Sequence, residues 1–204
     1  MKLDTALYQL RTQPNAFLQT SLLNLVGSPS GVKNAYFYRF AESVGVNEAF
    51  SINPYMSFVA ADDVGGLDGK VVTRVAVHSV RMIPRTEGID FSTIEPYTLD
   101  GGGPDIMITG QLNACIFVVQ QVGGQLHVAH IQPGGALQTA AVLRQTLKLT
   151  GRFAGQGRVT HVFGKGDYAS YAYVVGVRSG GIWHVYGQRT AGPGGPVLGV
   201  TQIV

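Results

Sequence analysis

One cysteine and two nearby histidines are the residues of this chain that could form a nucleophile and its base. Cys115 is followed by His127 and His130, with a Gly-Gly pair between the cysteine and the histidines. A neighbouring imidazolium lowers a thiol pKa well below its free value of about 8.5, so such a pair makes a strong nucleophile. A single cysteine excludes an internal disulfide and a zinc site of several cysteines. The commoner alternative is an inert core cysteine.

The Gly-Gly pair predicts which histidine accompanies the thiol. Two glycines form a favoured two-residue hairpin turn because both positions accept positive φ. The flanking strands are predicted at 115–122 and 125–132. Since side chains alternate between the faces of a strand, His130 shares a face with Cys115 as its diagonal neighbour, and His127 points to the other face. A three-residue turn would exchange the two histidines, so this prediction depends on the register.

The segment 109–133 resembles the active-site segment of the cysteine-dependent protein-glutamine deamidases. This family includes the chemoreceptor glutamine deamidases, the catalytic domain of cytotoxic necrotizing factor and Burkholderia lethal factor. In it a threonine precedes the cysteine, the cysteine ends a Leu-Ser-Gly-Cys stretch, and a histidine follows on the next strand. The matching residues here are Thr109, Cys115 and His130. This chain has Asn113-Ala114 in place of Ser-Gly. If the turn needs positive φ just before Cys115, Ala114 suits it poorly, and Asn113 is the residue that could supply it one position earlier.

The resemblance implies a cofactor-free, toxin-like cysteine amidohydrolase that converts a glutamine of a target protein to glutamate. Cys115 is then the nucleophile, His130 its base, and Thr109 a hydroxyl that sets the geometry of the site; ordinary strand-end packing is the alternative role for Thr109. The implied partner is a protein with an exposed glutamine, for which a host small GTPase and a translation-initiation helicase are precedents. A bacterial effector of this kind begins in the bacterial cytoplasm and acts in the host cytosol as a virulence factor.

Two other functions fit the same residues. A transglutaminase or a cysteine protease would use the same Cys115–His130 pair, because both reactions pass through an acyl-thioester. A non-catalytic β-sandwich binding protein would leave the thiol inert. The sequence leaves all three functions open.

The elements that must position these residues are mostly strands. Alternating, β-branched and aromatic runs separated by glycine-rich turns predict strands flanking the hairpin at 34–40, 55–61, 70–83, 105–109, 158–163, 169–177, 181–188 and 196–204. Apolar residues at helical spacing predict one or two helices over 3–26 and one over 136–151. The fold class predicted is α+β: an antiparallel β-sandwich with an N-terminal helical cap and one internal helix, forming a single catalytic domain over 1–204.

Composition excludes several classes of function. Charged residues make up 13% of the chain, the net charge is +3, and no run of lysine or arginine occurs. Nucleic-acid binding is therefore not expected, because phosphate recognition needs a concentrated basic face. No segment approaches the roughly 20 apolar residues that span a bilayer, and the first residues lack a signal-peptide stretch. We expect a soluble monomer without a cofactor, a metal, a nucleic-acid partner or a membrane partner.

Other groups that could do chemistry carry weaker predictions. Asp62, Asp63 and Asp68 are spaced like the start of a calcium loop, but the acidic residue that should end such a loop is missing. A solvated turn is the favoured interpretation. His161 and His184 lie on predicted strands, where an ordinary strand histidine is expected.

Overall fold

The computed structural model of the protein describes residues 3–25, 30–39, 55–60, 72–84, 94–134, 140–150, 159–193 and 195–204. Three helices are present in these ranges: α1 (Leu3–Thr12), α2 (Pro14–Thr20) and α3 (Ala140–Thr150). None of the three has the length and the apolar character that crossing a membrane requires. Strands account for most of the remaining described residues.

The strands in chain order are β1 (Leu22–Leu25), β2 (Gly31–Arg39), β3 (Tyr55–Ala60), β4 (Val72–Val80), β5 (Met82–Pro84), β6 (Tyr97–Leu99), β7 (Ile106–Thr109), β8 (Ile116–Val122), β9 (Gln125–Gln132), β10 (His161–Phe163), β11 (Tyr171–Ser179), β12 (Ile182–Thr190) and β13 (Val197–Gln202). Among the described residues, one sheet has the order β1-β3-β2-β4-β7-β11-β12-β13 and the other the order β10-β8-β9-β5, with β6 also paired to β9. The chain is therefore α+β and mostly strands, as the sequence predicts.

Both sheets are mixed, so the predicted purely antiparallel arrangement is wrong. The pairs β1–β3, β4–β7 and β5–β9 are parallel. The parallel pair β4–β7 has a simple cause. The chain leaves the first sheet directly after β4, adds β5 and β6 to the second sheet, and returns to the first sheet in the original direction as β7.

The N-terminal region also differs from its prediction, because the helices end at Thr20 and β1 follows. Gln188 explains the change at this point. Its side-chain amide donates to the backbone oxygens of Leu18 and Ser21, at 2.6 and 2.7 Å, and its oxygen accepts from the N–H of Leu23 at 2.8 Å. A fully buried glutamine thus satisfies backbone groups that a continued helix would have paired internally.

Within the described ranges, the buried apolar side chains form three clusters. The first joins α1 and α2 to the first sheet. The second contains residues of both sheets, such as Met107 and Val174 from the first and Phe117 and Val128 from the second. The third joins α3, through Leu143, to the opposite face of β8 and β9. The alternation of strand side chains therefore gives the hairpin one face toward α3 and one toward the first sheet.

The chain passes from the first sheet to the second at two places. One lies between β4 and β5, and the other between β7 and β8. Thr109 ends β7, Met82 begins β5, and Cys115 directly precedes β8. These crossings bring to one region side chains that are distant in the sequence.

Candidate active site

The hairpin has the predicted register. Its turn is the glycine pair 123–124, with φ of 56° and 84°, as a type I′ turn requires. Phe117 lies opposite His130 in the β8–β9 ladder, and Cys115 packs in the same apolar cluster as Phe117. His127 lies an odd number of positions from His130, so it points to the other face. The prediction that His130 shares a face with Cys115 is confirmed.

Thr109 makes a hydrogen bond to His130 that fixes the form of the imidazole. The Thr109 hydroxyl donates to the backbone oxygen of Val80 at 2.7 Å and lies 2.9 Å from Nδ1 of His130. A hydroxyl has one hydrogen, and a carbonyl can only accept. The hydroxyl must therefore accept from Nδ1–H, which leaves the lone pair of neutral His130 on Nε2. The role of Thr109 in setting the geometry of a site stays a prediction, and this hydrogen bond is the contact that it would use.

Nε2 of His130 is a buried base without a hydrogen-bond partner among the described residues. The His130 side chain is 1% exposed, and burial lowers the pKa of its imidazole from 6.5 to about 4. At neutral pH the ring is therefore uncharged and able to accept a proton. A carboxylate that would raise this pKa is not among the causes of the shift.

Cys115 lies on the same face but is not hydrogen-bonded to His130. Its thiol is 3.8 Å from the backbone oxygen of Asn113 and 4.0 Å from Sδ of Met82. The residue is 4% exposed, and burial raises the pKa of the thiol. The thiolate–imidazolium pair expected from the sequence is therefore absent from this conformation, because burial favours the neutral form of both groups.

The residue before the cysteine has a left-handed backbone. Ala114 has φ of 64° and is the one described non-glycine residue with positive φ. An L-residue with a Cβ pays about 1–2 kcal/mol for this conformation. The positive φ therefore lies at Ala114, and the expectation that Asn113 supplies it one position earlier is wrong.

The loop before Cys115 is held on both sides. Leu112 forms an isolated antiparallel bridge with Ala172 of β11, with two backbone hydrogen bonds of 2.8 and 3.0 Å. The hydroxyl of Tyr168 donates to the backbone oxygen of Cys115 at 2.6 Å, and Tyr168 is itself buried. These contacts fix the backbone that presents the thiol.

Helix α3 holds the loop that carries Tyr168 through an ion pair. Arg144 donates to Asp167 at 2.7 Å and to the backbone oxygen of Lys165 at 3.2 Å. Asp167 also accepts from the N–H of Gly164 at 2.9 Å. A Cβ on Gly164 would lie 2.5 Å from the side chain of Ile116, so only glycine fits there. Sequence reasoning missed Tyr168, which bonds to Cys115, and the Arg144–Asp167 pair that holds its loop, because nothing in their local sequence indicates these contacts.

The weaker candidates have ordinary structural surroundings. His127 bonds through Nδ1 to the hydroxyl of Thr98 at 3.0 Å. His161 is exposed and His184 half-buried on their strands. Within the described ranges, no three side chains of histidine, cysteine, aspartate or glutamate lie close enough to hold a metal ion. The aspartates of the predicted calcium-like turn, at 62, 63 and 68, lie outside the described residues.

A surface groove of about 580 Å³ lies elsewhere, between α1, β4 and the loop at 103–105. Tyr8, Arg11 and Arg74 contribute to its lining, which includes neither cysteine nor histidine. The groove and the thiol are therefore separate features. The chemistry proposed from the sequence does not use this groove.

A second buried histidine was also missed from the sequence. His78 on β4 is 3% exposed, its Nδ1 lies 2.8 Å from the hydroxyl of Tyr97, and its Nε2 has no hydrogen-bond partner among the described residues. The ring packs edge-on against Tyr97 and Trp183, with ring centroids 5.7 and 5.5 Å away. Burial lowers its pKa. The strand pattern of the sequence contains no signal for this cluster.

No family model matches the chain, and no curated protein matches it.

Proposed function

We propose that this protein is a protein-glutamine deamidase, a cysteine amidohydrolase with Cys115 as nucleophile and His130 as base. The observation that carries the proposal is the Thr109–His130 hydrogen bond. It leaves the basic nitrogen of a buried imidazole unpartnered, on the hairpin face that also carries the only thiol. The resemblance of segment 109–133 to the deamidases predicts the same three residues.

Attack begins from neutral groups. The Cys115 sulfur attacks the side-chain carbonyl carbon of the glutamine while Nε2 of His130 takes the thiol proton. The backbone N–H of Cys115, whose peptide follows the left-handed residue Ala114, is the natural donor to the oxyanion. A carboxamide is a poor electrophile, so this stabilisation is needed for the reaction near neutral pH.

The intermediate then loses ammonia. The C–N bond breaks as His130 returns its proton to the departing nitrogen, and a thioester remains on Cys115. Water attacks the thioester with His130 again as base. The C–S bond breaks, the thiol regains its proton, and the product is glutamate on the target protein.

The substrate class follows from this chemistry and from the resemblance. A toxin-like effector would act on an exposed glutamine of a host protein, with small GTPases and a translation-initiation helicase as precedents by resemblance alone. We propose that residues 1–204 act as one catalytic domain with its two sheets packed as a sandwich. The cluster of apolar residues shared by the sheets supports this packing.

The decisive experiment is incubation with a eukaryotic lysate, followed by a proteome-wide search for glutamine-to-glutamate conversion. We expect converted sites with the wild type, none with Cys115→Ser and none with His130→Gln. Thr109→Ser keeps the hydroxyl and should retain conversion. Absence of conversion at several doses of folded wild type contradicts the proposal. Added primary amine separates a transglutaminase, which would give cross-linked product instead of glutamate.

The second candidate is a non-catalytic binding protein, and the burial of the thiol favours it. A 4% exposed cysteine with a raised pKa is typical of an inert core residue. Iodoacetamide distinguishes the candidates. If Cys115 is inert, its alkylation rate should be that of a buried thiol in a folded protein, with or without a substrate protein. If Cys115 is catalytic, adding a substrate protein should change that rate.

A further inference from the structure

The side chain of Met82 contacts the thiol of Cys115 and starts from the position opposite His130 in the β5–β9 pair. Met82 pairs with His130 across β5 and β9, and Cys115 precedes β8 on the other side of β9. Paired strands lie about 4.8 Å apart, so β5 and β8 are separated by two such spacings. Sδ of Met82 nevertheless lies 4.0 Å from Sγ of Cys115. The thioether therefore extends from the position opposite His130 toward the thiol.

Methionine has the chain length of glutamine. In both residues two methylene groups separate Cα from the third side-chain atom, which is Sδ in methionine and the carboxamide carbon in glutamine. A reacting carbon should approach the nucleophile to about 3–3.5 Å. Sδ of Met82, at 4.0 Å from the thiol, is close to the place where that carbon would have to lie.

We propose that Met82 occupies the position of the substrate glutamine and acts as an internal, unreactive stand-in for it. This inference rests on the deamidase function proposed above. Methionine carries no leaving group or electrophilic carbon at this atom, so the thiol cannot react with it. Its presence excludes water and substrate from the thiol.

Two observations support a cover that can move. Met82 is 42% exposed, so one side of its chain borders solvent. Its side chain is unbranched and flexible, which makes displacement inexpensive compared with that of a packed branched residue. His130 retains an unpartnered buried Nε2 beside it. When a glutamine displaces Met82, its carboxamide meets both groups.

The cover is tested by the alkylation rate of Cys115 in the folded protein. We expect Met82→Ala to raise the rate by about tenfold, which corresponds to removal of an opening cost of roughly 1.4 kcal/mol. Met82→Leu, which retains the bulk, should leave the rate close to that of the wild type. Val122→Ala truncates another exposed apolar residue of the second sheet and should have no effect. An unchanged rate in Met82→Ala overturns the inference.

Loss of folding must be separated from loss of the cover. The rate for Met82→Ala must stay far below that of the same variant in urea, and its thermal midpoint must match that of Met82→Leu. A midpoint that falls together with faster alkylation assigns the effect to unfolding and overturns the inference.

The substrate position is tested by Met82→Gln, which places a carboxamide against the thiol. We expect this variant to deamidate the introduced glutamine itself, with a mass gain localised to position 82, and Met82→Gln/Cys115→Ser to keep the carboxamide. If wild type deamidates a protein target but the introduced glutamine is stable, Met82 does not mark the substrate position. If neither the protein target nor the introduced glutamine is deamidated, but Cys115 is still alkylated faster in Met82→Ala, the deamidase proposal fails and only the covering role of Met82 stands.

Discussion

Two buried histidines of this protein have the same local pattern and different surroundings. At His130 and at His78, Nδ1 contacts a hydroxyl, Nε2 lacks a hydrogen-bond partner among the described residues, and burial lowers the pKa. The hydroxyl of Thr109 donates its one hydrogen bond to the backbone oxygen of Val80. The hydroxyl of Tyr97 has no second partner among the described residues, so it can donate to His78 or accept from it.

The difference decides which ring is a defined base. Neutral His130 can exist only with its hydrogen on Nδ1, whereas either tautomer of His78 satisfies its contact with Tyr97. Nε2 of His130 lies on the face of the thiol, and the ring of His78 packs against Trp183. A buried histidine with a free nitrogen is therefore not by itself a candidate base. His130 and His78 differ in two respects: whether the hydroxyl on Nδ1 has a second hydrogen-bond partner, and whether a nucleophile lies on the same face.

The largest expected effect is that of His130 on the stability of the protein against acid. Because burial lowers the pKa of His130 from 6.5 to about 4, the unfolded chain binds a proton in this window that the folded protein does not. The free energy of unfolding should therefore fall as the pH falls through the window, by about 3 kcal/mol in total. Urea denaturation at a series of pH values measures it.

The matched variants for this experiment are His130→Gln and the exposed-site control His161→Gln. The first should reduce the pH dependence between about 6.5 and about 4, the pKa values of His130 in the two states, and leave the contribution of His78. The control should retain the wild-type slope. A slope in His130→Gln as steep as in the wild type would contradict the assignment.

Thr109→Val breaks the feature that distinguishes the His130 region. The change keeps the shape but leaves the Val80 oxygen and Nδ1 of His130 unpaired in the interior, where each such group costs about 1–3 kcal/mol. We expect a loss of about 2 kcal/mol or more in the free energy of unfolding. Thr109→Ser should lose much less. Nitrogen-15 NMR of the imidazole should show Nδ1–H in the wild type, and a tautomer mixture there would refute the argument.

Tyr97→Phe makes the corresponding change in the His78 region and should have a smaller effect. Tyr97 is half-buried, so water can replace its hydroxyl on Nδ1 of His78. We expect a loss of about 1 kcal/mol, measured by the same denaturation series. If the loss equals that of Thr109→Val, the two regions do not differ as described.

The smallest expected effect concerns the left-handed residue in each region. Ala114 has φ of 64° and Gly103, beside His78, has φ of 65°. Ala114→Gly should stabilise by about 0.5 kcal/mol, because relief of the Cβ conflict exceeds the added chain entropy. Gly103→Ala should cost about 1 kcal/mol. Thermal melts measure both, and the same sign for both changes would contradict the comparison.

Much of the strand order along the chain was predictable, but the pairing was not. Runs such as 169–177 and 181–188 alternate in the sequence and overlap most of β11 and β12. The parallel pairing of β4 with β7 depends on where the chain between them goes, and alternation carries no information on that. The extension of helix to residue 26 failed because Gln188, distant in sequence, binds the backbone at the end of α2.

The site divides in the same way. Local sequence determined that His130 and not His127 shares a face with Cys115, because a glycine-glycine turn sets the register and alternation does the rest. It also located the backbone turn before the thiol, although it favoured Asn113 over Ala114 for the positive φ. Only the tertiary structure decided that Thr109 fixes the tautomer of the imidazole and that Met82 contacts the thiol. It also decided that the thiol and the imidazole are buried, which favours their neutral forms. These contacts arise where strands of two sheets meet, and burial depends on many neighbours that are far apart in the chain.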